Sequence, residues 1–269
     1  MSTNSIKVIT TDSDHRIHYI GPDLSHGPLP ALIYFALSGE DSLSLDPYNQ
    51  PVDFMLKQSE IPFRVFSWTL PGHEGHLPLD REALQSWVDE FLNGKKVVAE
   101  FLSQVQQDIK LLYKKGYILD SFPIAAMGLS RGGWIATHLA ANCKSISYLL
   151  TFAPITDLSK VAGLNFPSEI PKIYRPSFAL TSIINELMHV TIRFYIGNCD
   201  ERVSTSSCYE FIKGMAGHLY TQGIRSPPVE LCITPSIGFK GHGTSPITFK
   251  EGVKWLYMNW LLKYRDRGI

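Results

Sequence analysis

Apolar and polar positions change their period repeatedly along the chain, and these changes predict alternating strands and helices. The first two predicted strands alternate apolar and polar residues around the polar turn Thr11–Asp14, which indicates an antiparallel hairpin at a sheet edge. Several later runs are apolar throughout, as expected of strands buried on both faces of a parallel sheet. The eight predicted strands are Ile6–Thr10, Arg16–Ile20, Ala31–Leu37, Arg64–Leu70, Phe122–Met127, Ile146–Phe152, Val190–Ile196 and Val229–Thr234.

Between these strands, apolar residues recur at helical spacing. Residues 81–115 predict one or two long helices with a break at Asn93-Gly94, and a polar loop with room for a short helical turn spans Ser38–Pro51. Further helices are predicted over 132–142, over 204–222, and from Thr244 or Ser245 onward. The alternation predicts an α/β fold with a mostly parallel central sheet of about eight strands and helices on both faces.

The segment 155–187, after the sixth predicted strand, is less regular. Pro167, Pro171 and Pro176 break it into short apolar pieces, which suggests a small lid or helical insertion over the strand ends. No stretch resembles an interdomain linker, so residues 1–269 are predicted to form a single domain.

Composition narrows the class of protein. The 44% hydrophobic content is typical of a globular protein, and 25 basic against 25 acidic residues disfavour a nucleic-acid partner. Four irregularly spaced cysteines indicate neither a zinc site nor a disulfide framework, and we expect no cofactor. Without a signal-peptide pattern or a long apolar run, we expect a cytoplasmic protein with no membrane span, as a monomer or homodimer.

The candidate chemistry begins at Gly128-Leu-Ser-Arg-Gly132, which stands between a predicted strand and a predicted helix. This Gly-x-Ser-x-Gly pattern is a nucleophile elbow, in which a sharp turn exposes the hydroxyl of Ser130. Glycine is needed at both ends because the turn presses these positions together and a Cβ would clash. Ser130 is therefore the candidate nucleophile.

A serine hydroxyl needs a base and an acid to act near neutral pH, and the strand ends offer both. Asp200 follows the strand Val190–Ile196, and His242 follows Val229–Thr234. Histidine titrates close to neutral pH and can accept the hydroxyl proton, while a carboxylate fixes the tautomer of the imidazole. The chain order Ser130, Asp200, His242 is that of an α/β-hydrolase triad.

With these residues in place, the chain resembles the α/β-hydrolase superfamily, nearest to the prolyl-oligopeptidase-like and dienelactone-hydrolase-like groups. The resemblance covers almost the whole chain and depends on the elbow, Gly197-x-x-Asp200-x-x-Val203, Gly241-His-Gly243 and Leu70-Pro-Gly-His-Glu-Gly75. The oxyanion loop departs from the family's frequent His-Gly dipeptide and reads Phe35-Ala-Leu-Ser-Gly-Glu40. By position, the main-chain N–H groups of Arg131 and of Leu37 or Ser38 are the expected oxyanion donors.

Other residues compete for these roles. Asp157 is an alternative acid, and His73 and His76 lie in a strand-end loop but precede the nucleophile. His138 reads as a surface or packed residue within a helix.

The sequence also leaves open whether Trp68 and Trp134 line an acyl pocket or belong to the core. Glu40, Asp41 and Asp46 lack the spacing of a metal loop, so we expect no metal. Arg131 faces either the substrate or a neighbouring carboxylate.

These residues predict a serine hydrolase of the carboxylesterase type, which cleaves an ester, thioester or amide of a small acyl substrate through an acyl-enzyme. The alternatives are a peptidase or acyl-peptide hydrolase, an acyltransferase, and a non-catalytic ligand-binding protein on the same fold. Dehalogenase and epoxide hydrolase chemistry is disfavoured because it requires a carboxylate at position 130.

Overall fold

The computed structural model describes residues 5–12, 14–73, 80–165 and 178–265 of the chain. An eight-stranded sheet has the order β1-β2-β4-β3-β5-β6-β7-β8. The β1–β2 and β2–β4 pairs are antiparallel and all other pairs are parallel, which confirms the predicted edge hairpin and the mostly parallel sheet. The strands are β1 Lys7–Thr10, β2 Arg16–Ile20, β3 Ala31–Phe35, β4 Arg64–Ser67, β5 Ile124–Leu129, β6 Ile146–Phe152, β7 Thr191–Gly197 and β8 Val229–Thr234.

Helices connect most of the parallel strands. The predicted break in 81–115 is confirmed, because two separate helices flank Asn93-Gly94. The α-helices are α1 Gly39–Ser44, α2 Gln50–Gln58, α3 Asp80–Leu92, α4 Val97–Lys114, α5 Arg131–Asn142, α6 Thr205–Thr221, α7 Pro246–Leu256 and α8 Leu262–Arg265. A π-helical turn, Tyr257–Leu261, joins α7 to α8.

Helix α2 is an element that the sequence analysis did not predict. Its first residue follows Asn49, whose side chain makes no capping hydrogen bond, so Pro51 in the first turn is the main start signal and the signal is weak. Val52 and Met55 are completely buried because α2 packs against α7. The helix depends on this tertiary contact more than on its own start signal.

The core lies on both faces of the sheet. Side chains alternate along β3, so that Ile33 and Phe35 pack under α3, α4 and α5 while Leu32 and Tyr34 pack against α2 and α7. All five residues of β3 are buried, which explains why its sequence is continuously apolar.

The segment 155–187 is described only in part. Three short 3₁₀ helices occur at Leu158–Lys160, Leu180–Ile183 and Asn185–Leu187. The prediction of a lid also concerns residues 166–177, which lie outside the described residues. None of the helices in the described ranges combines the length and apolar character needed to cross a lipid bilayer.

Arg64, at the start of β4, is a buried cation that joins two connecting segments, the one between β2 and β3 and the one between α4 and β5. Its guanidinium is completely inaccessible and donates to the carbonyl oxygens of Pro22, Asp23, Gly27 and Tyr117. Burial lowers the pKa of Arg64, but four carbonyl acceptors compensate for the lost hydration.

We expect Arg64→Met to lower the free energy of unfolding by about 3–5 kcal/mol, because the carbonyl groups lose their donors inside the protein. Chemical denaturation followed by circular dichroism measures this change. Arg225→Met is the matched control, since Arg225 is exposed. Equal stability of the two variants would contradict the structural role of Arg64.

Candidate active site

Ser130 lies at the tip of a tight turn between β5 and α5. Its backbone has φ 54° and ψ −117°, a conformation that residues other than glycine rarely adopt. A Cβ on Gly128 would come within 2.3 Å of the Gly132 carbonyl oxygen, and a Cβ on Gly132 within 2.0 Å of the Phe35 carbonyl oxygen. The two glycines of the motif are therefore required sterically, by each other and by the end of β3.

The turn is also held by hydrogen bonds. The Ser130 N–H donates to the Phe152 carbonyl at 2.9 Å, and the Ile155 N–H donates to the Ser130 carbonyl at 3.2 Å. Both partners belong to β6 and the loop that follows it. The neighbouring strand thus supports the strained backbone that exposes the hydroxyl.

Asp200 and His242 come from loops after two further strands. Strands β5, β6, β7 and β8 are parallel neighbours, so the loops that follow them meet at one edge of the sheet. Gly241 allows the two loops to approach closely, because its φ is 71° and a Cβ there would lie 2.1 Å from the Cys199 carbonyl oxygen. The loops are joined further by a hydrogen bond from the Glu201 N–H to the Lys240 carbonyl at 2.9 Å.

The three side chains form a continuous hydrogen-bonded chain. Ser130 Oγ lies 2.9 Å from His242 Nε2, and His242 Nδ1 lies 2.8 Å from Asp200 Oδ2. The other carboxylate oxygen, Asp200 Oδ1, accepts the N–H groups of Arg202 and Val203, each at 3.0 Å. The Asp200 side chain is inaccessible and that of His242 is 9% exposed. The carboxylate therefore holds the imidazole in one orientation, with Nε2 directed at the hydroxyl.

A cavity of about 200 Å³ contains the Ser130–His242 pair. Most of its described lining is apolar or aromatic, as is usual for a small-molecule site. This lining includes Leu37, Tyr48, Leu84, Ile155, Val161, Phe239 and Phe249. A larger cleft of about 960 Å³ lies beside β2, α1 and α4, but it includes none of the three side chains. The smaller cavity is therefore the candidate site, because Ser130 and His242 line it.

Of the three residues predicted to supply the oxyanion donors, two line the cavity at Ser130 and one borders the larger cleft. Arg131 is the first residue of α5 and lines the cavity, as does Leu37. The Leu37 N–H donates to Ser42 Oγ at 2.9 Å. Ser38 caps the N-terminus of α1, where its hydroxyl accepts the Asp41 N–H, and it borders the larger cleft.

The competing acid and base candidates have other roles or positions. Asp157 Oδ1 accepts the N–H and hydroxyl of Ser159, and its carboxylate lies 3.9 Å from Lys160 Nζ. His73 borders the larger cleft, and His76 lies outside the described residues. The rings of His138 and Trp134 meet edge to face, and burial lowers the pKa of His138 to about 4.

The two tryptophans raised as acyl-pocket candidates are both buried. Trp68 donates to the buried carboxylate of Asp108 at 2.9 Å and borders the larger cleft, and Trp134 packs against Trp87. Neither borders the cavity at Ser130.

Some residues at the cavity were not identified from the sequence. Tyr48, Phe239 and Phe249 come from a loop, a 3₁₀ turn and a helix that are distant in sequence. Arg202 also lines the cavity, and its only signal was its place two residues after Asp200 in a strand-end loop. Within the described residues, no three His, Cys, Asp or Glu side chains are grouped so as to hold a metal ion.

Comparison of the sequence gives no match to a protein-family model or to a curated protein. By structure, the chain is similar to the Pyrococcus furiosus esterase Pf2001, with 18% identity, a TM-score of 0.59, and coverage of 95% of this chain and 92% of that one. It is also similar to a Klebsiella pneumoniae protein proposed to be a dienelactone hydrolase, with 15% identity, a TM-score of 0.61, and coverage of 97% and 98%.

A third similar structure is a much longer Bacteroides ovatus protein proposed to be a dipeptidyl aminopeptidase IV. The identity is 14% and the TM-score 0.65, and the match covers 95% of this chain but 35% of that one. At 14–18% identity, these similarities concern the fold. This chain has the α/β-hydrolase fold.

Proposed function

We propose that this chain is a serine hydrolase that cleaves a carboxylic ester, or a related thioester or amide, through an acyl-enzyme. The single observation that carries the proposal is the hydrogen-bonded chain from Ser130 Oγ through His242 to the buried Asp200. Nucleophile, base and orienting acid are the three parts that acyl transfer by serine requires.

In the proposed acylation step, Ser130 Oγ attacks the carbonyl carbon and its proton passes to His242 Nε2. Asp200 stabilises the imidazolium through Nδ1. The oxygen of the tetrahedral intermediate takes up negative charge, and the proposed donors to it are the Arg131 N–H at the start of α5 and an N–H group near Leu37 or Ser38. The Leu37 N–H donates to Ser42 Oγ, so it would have to exchange this partner for the oxyanion. The bond to the leaving oxygen then breaks, and that oxygen takes the proton from Nε2.

Deacylation repeats the sequence with water as the nucleophile. His242 Nε2 accepts a proton from water while the hydroxide adds to the acyl carbon. Collapse of this intermediate breaks the bond to Ser130 Oγ, which takes back the proton from Nε2. The products are a carboxylic acid and the restored Ser130 hydroxyl.

Among acyl substrates, the comparisons favour an ester. The chain corresponds to 92% of the Pyrococcus furiosus esterase but to 35% of the Bacteroides ovatus protein with the proposed peptidase name. Comparing short-chain 4-nitrophenyl esters with aminoacyl 4-nitroanilides separates esterase from peptidase activity, and added alcohols reveal acyl transfer as new ester products.

A fluorophosphonate probe tests the proposed function directly, because it phosphonylates only an activated serine. We expect the wild-type protein to be labelled and Ser130→Ala to remain unlabelled. Ser206→Ala, a change at an exposed serine, is the matched control and should be labelled as the wild type is. Equal labelling of Ser130→Ala and wild type would refute the assignment.

A further inference from the structure

The fixed charges around the cavity at Ser130 are positive. Among its described lining residues, the only permanently charged side chains are those of Arg131 and Arg202. The nearby Asp200 carboxylate does not offset them toward a ligand, because it is inaccessible and accepts three N–H groups. The N-terminus of α5 adds a partial positive charge beside Ser130.

The two arginines differ in what they already contact. Arg131 has an interaction within the chain. In the part of the chain that the structure describes, the Arg202 guanidinium donates no hydrogen bond and has no carboxylate within 4.0 Å. Arg64 binds four carbonyl groups and Arg193 pairs with Glu230. Arg16 and Arg225 also lack such partners but are exposed, whereas Arg202 is half-buried and lines the cavity.

The backbone of Arg202 is fixed relative to the reacting groups. Its N–H donates to Asp200 Oδ1 at 3.0 Å, and its carbonyl accepts the Ala162 N–H at 2.8 Å. The next residue, Val203, is buried and donates to the same carboxylate oxygen. The carboxylate that orients His242 therefore also sets where the Arg202 side chain begins.

We propose that Arg202 is a specificity-determining residue that binds a carboxylate carried by the substrate. The inference rests on the proposed function and adds a substrate class: esters that bear an anionic group within reach of the scissile bond. A guanidinium presents a planar pair of donors that matches a carboxylate, and partial burial in an apolar cavity strengthens such a bond. A neutral acyl chain would leave this cation without a partner.

The test uses two matched pairs of substrates. Mono-4-nitrophenyl adipate against 4-nitrophenyl heptanoate varies the charge of the acyl part, and 4-acetoxybenzoate against its methyl ester varies the charge of the leaving group. We expect the wild type to prefer the anionic member of at least one pair in kcat/KM, and the responding pair identifies the side of the ester that Arg202 contacts.

In Arg202→Gln we expect the ratio of anionic to neutral kcat/KM to fall by about 10- to 100-fold, mainly through KM, as for loss of a charged hydrogen bond. Arg202→Lys should retain part of the preference, because it keeps the charge but loses the paired donors. Arg225→Gln, at an exposed position, is the control and should keep the wild-type ratio.

An unchanged ratio in Arg202→Gln would overturn the inference, while fluorophosphonate labelling and turnover of neutral esters would leave the proposed function standing. A binding measurement decides the point independently of turnover. Calorimetric titration with glutarate should detect binding to the wild type and at least tenfold weaker binding to Arg202→Gln; equal binding, or none to the wild type, would also overturn it.

Discussion

Ser130→Ala and His242→Ala are each expected to lower kcat for a short-chain 4-nitrophenyl ester by about five to six orders of magnitude. Alanine at 130 removes the atom that is proposed to form the acyl-enzyme. Alanine at 242 leaves the hydroxyl without the base 2.9 Å away that takes its proton. The residual rate comes from the oxyanion donors and from substrate binding alone.

If the two residues act as one unit, as proposed, the double variant should be no slower than either single variant. Steady-state kinetics at pH 8 measure all three proteins. His26→Ala is a matched control, because His26 is exposed and lies outside the site. Retention of more than a tenth of wild-type kcat in His242→Ala would contradict the proposed base.

Asp200→Asn is expected to lower kcat by about 10⁴-fold while preserving the fold. The amide has the same size, and its oxygen can still accept the N–H groups of Arg202 and Val203. Its NH₂ group then faces His242 Nδ1 and stabilises the tautomer that carries the proton on Nε2, which cannot accept the Ser130 proton. The negative charge that stabilises the imidazolium is also lost.

Asp157→Asn provides the matched comparison, since Asp157 is the other acid that the sequence offered. Its carboxylate binds Ser159 and lies near Lys160, so we expect kcat within about threefold of wild type. Thermal unfolding of both variants separates a catalytic effect from a loss of structure. If Asp157→Asn is slow and Asp200→Asn is fast, the acid has been assigned to the wrong loop.

The fold could be predicted because several independent signals in the sequence agree. Apolar strands, amphipathic helices and turn residues alternate over most of the chain, and the hairpin, the parallel strands and the break near Asn93 follow from this pattern alone. Helix α2 could not be predicted from this pattern, because its start signal is weak. It is stabilised instead by the packing of Val52 and Met55 against α7. Such a contact depends on residues about 200 positions later in the chain.

The sequence by itself determined the class of fold and the strand–turn–helix around Ser130, because periodicity and the glycine requirement act over a few neighbouring residues. It also supplied Asp200 and His242 as candidates, through their positions after strands. Only the tertiary structure decided that the carboxylate of Asp200 meets the imidazole while that of Asp157 binds Ser159. It alone decided that Arg202 borders the cavity and that Trp68 does not. These are distances between segments far apart in the chain, which depend on the pairing of β5 to β8 and on the close approach of two loops at Gly241.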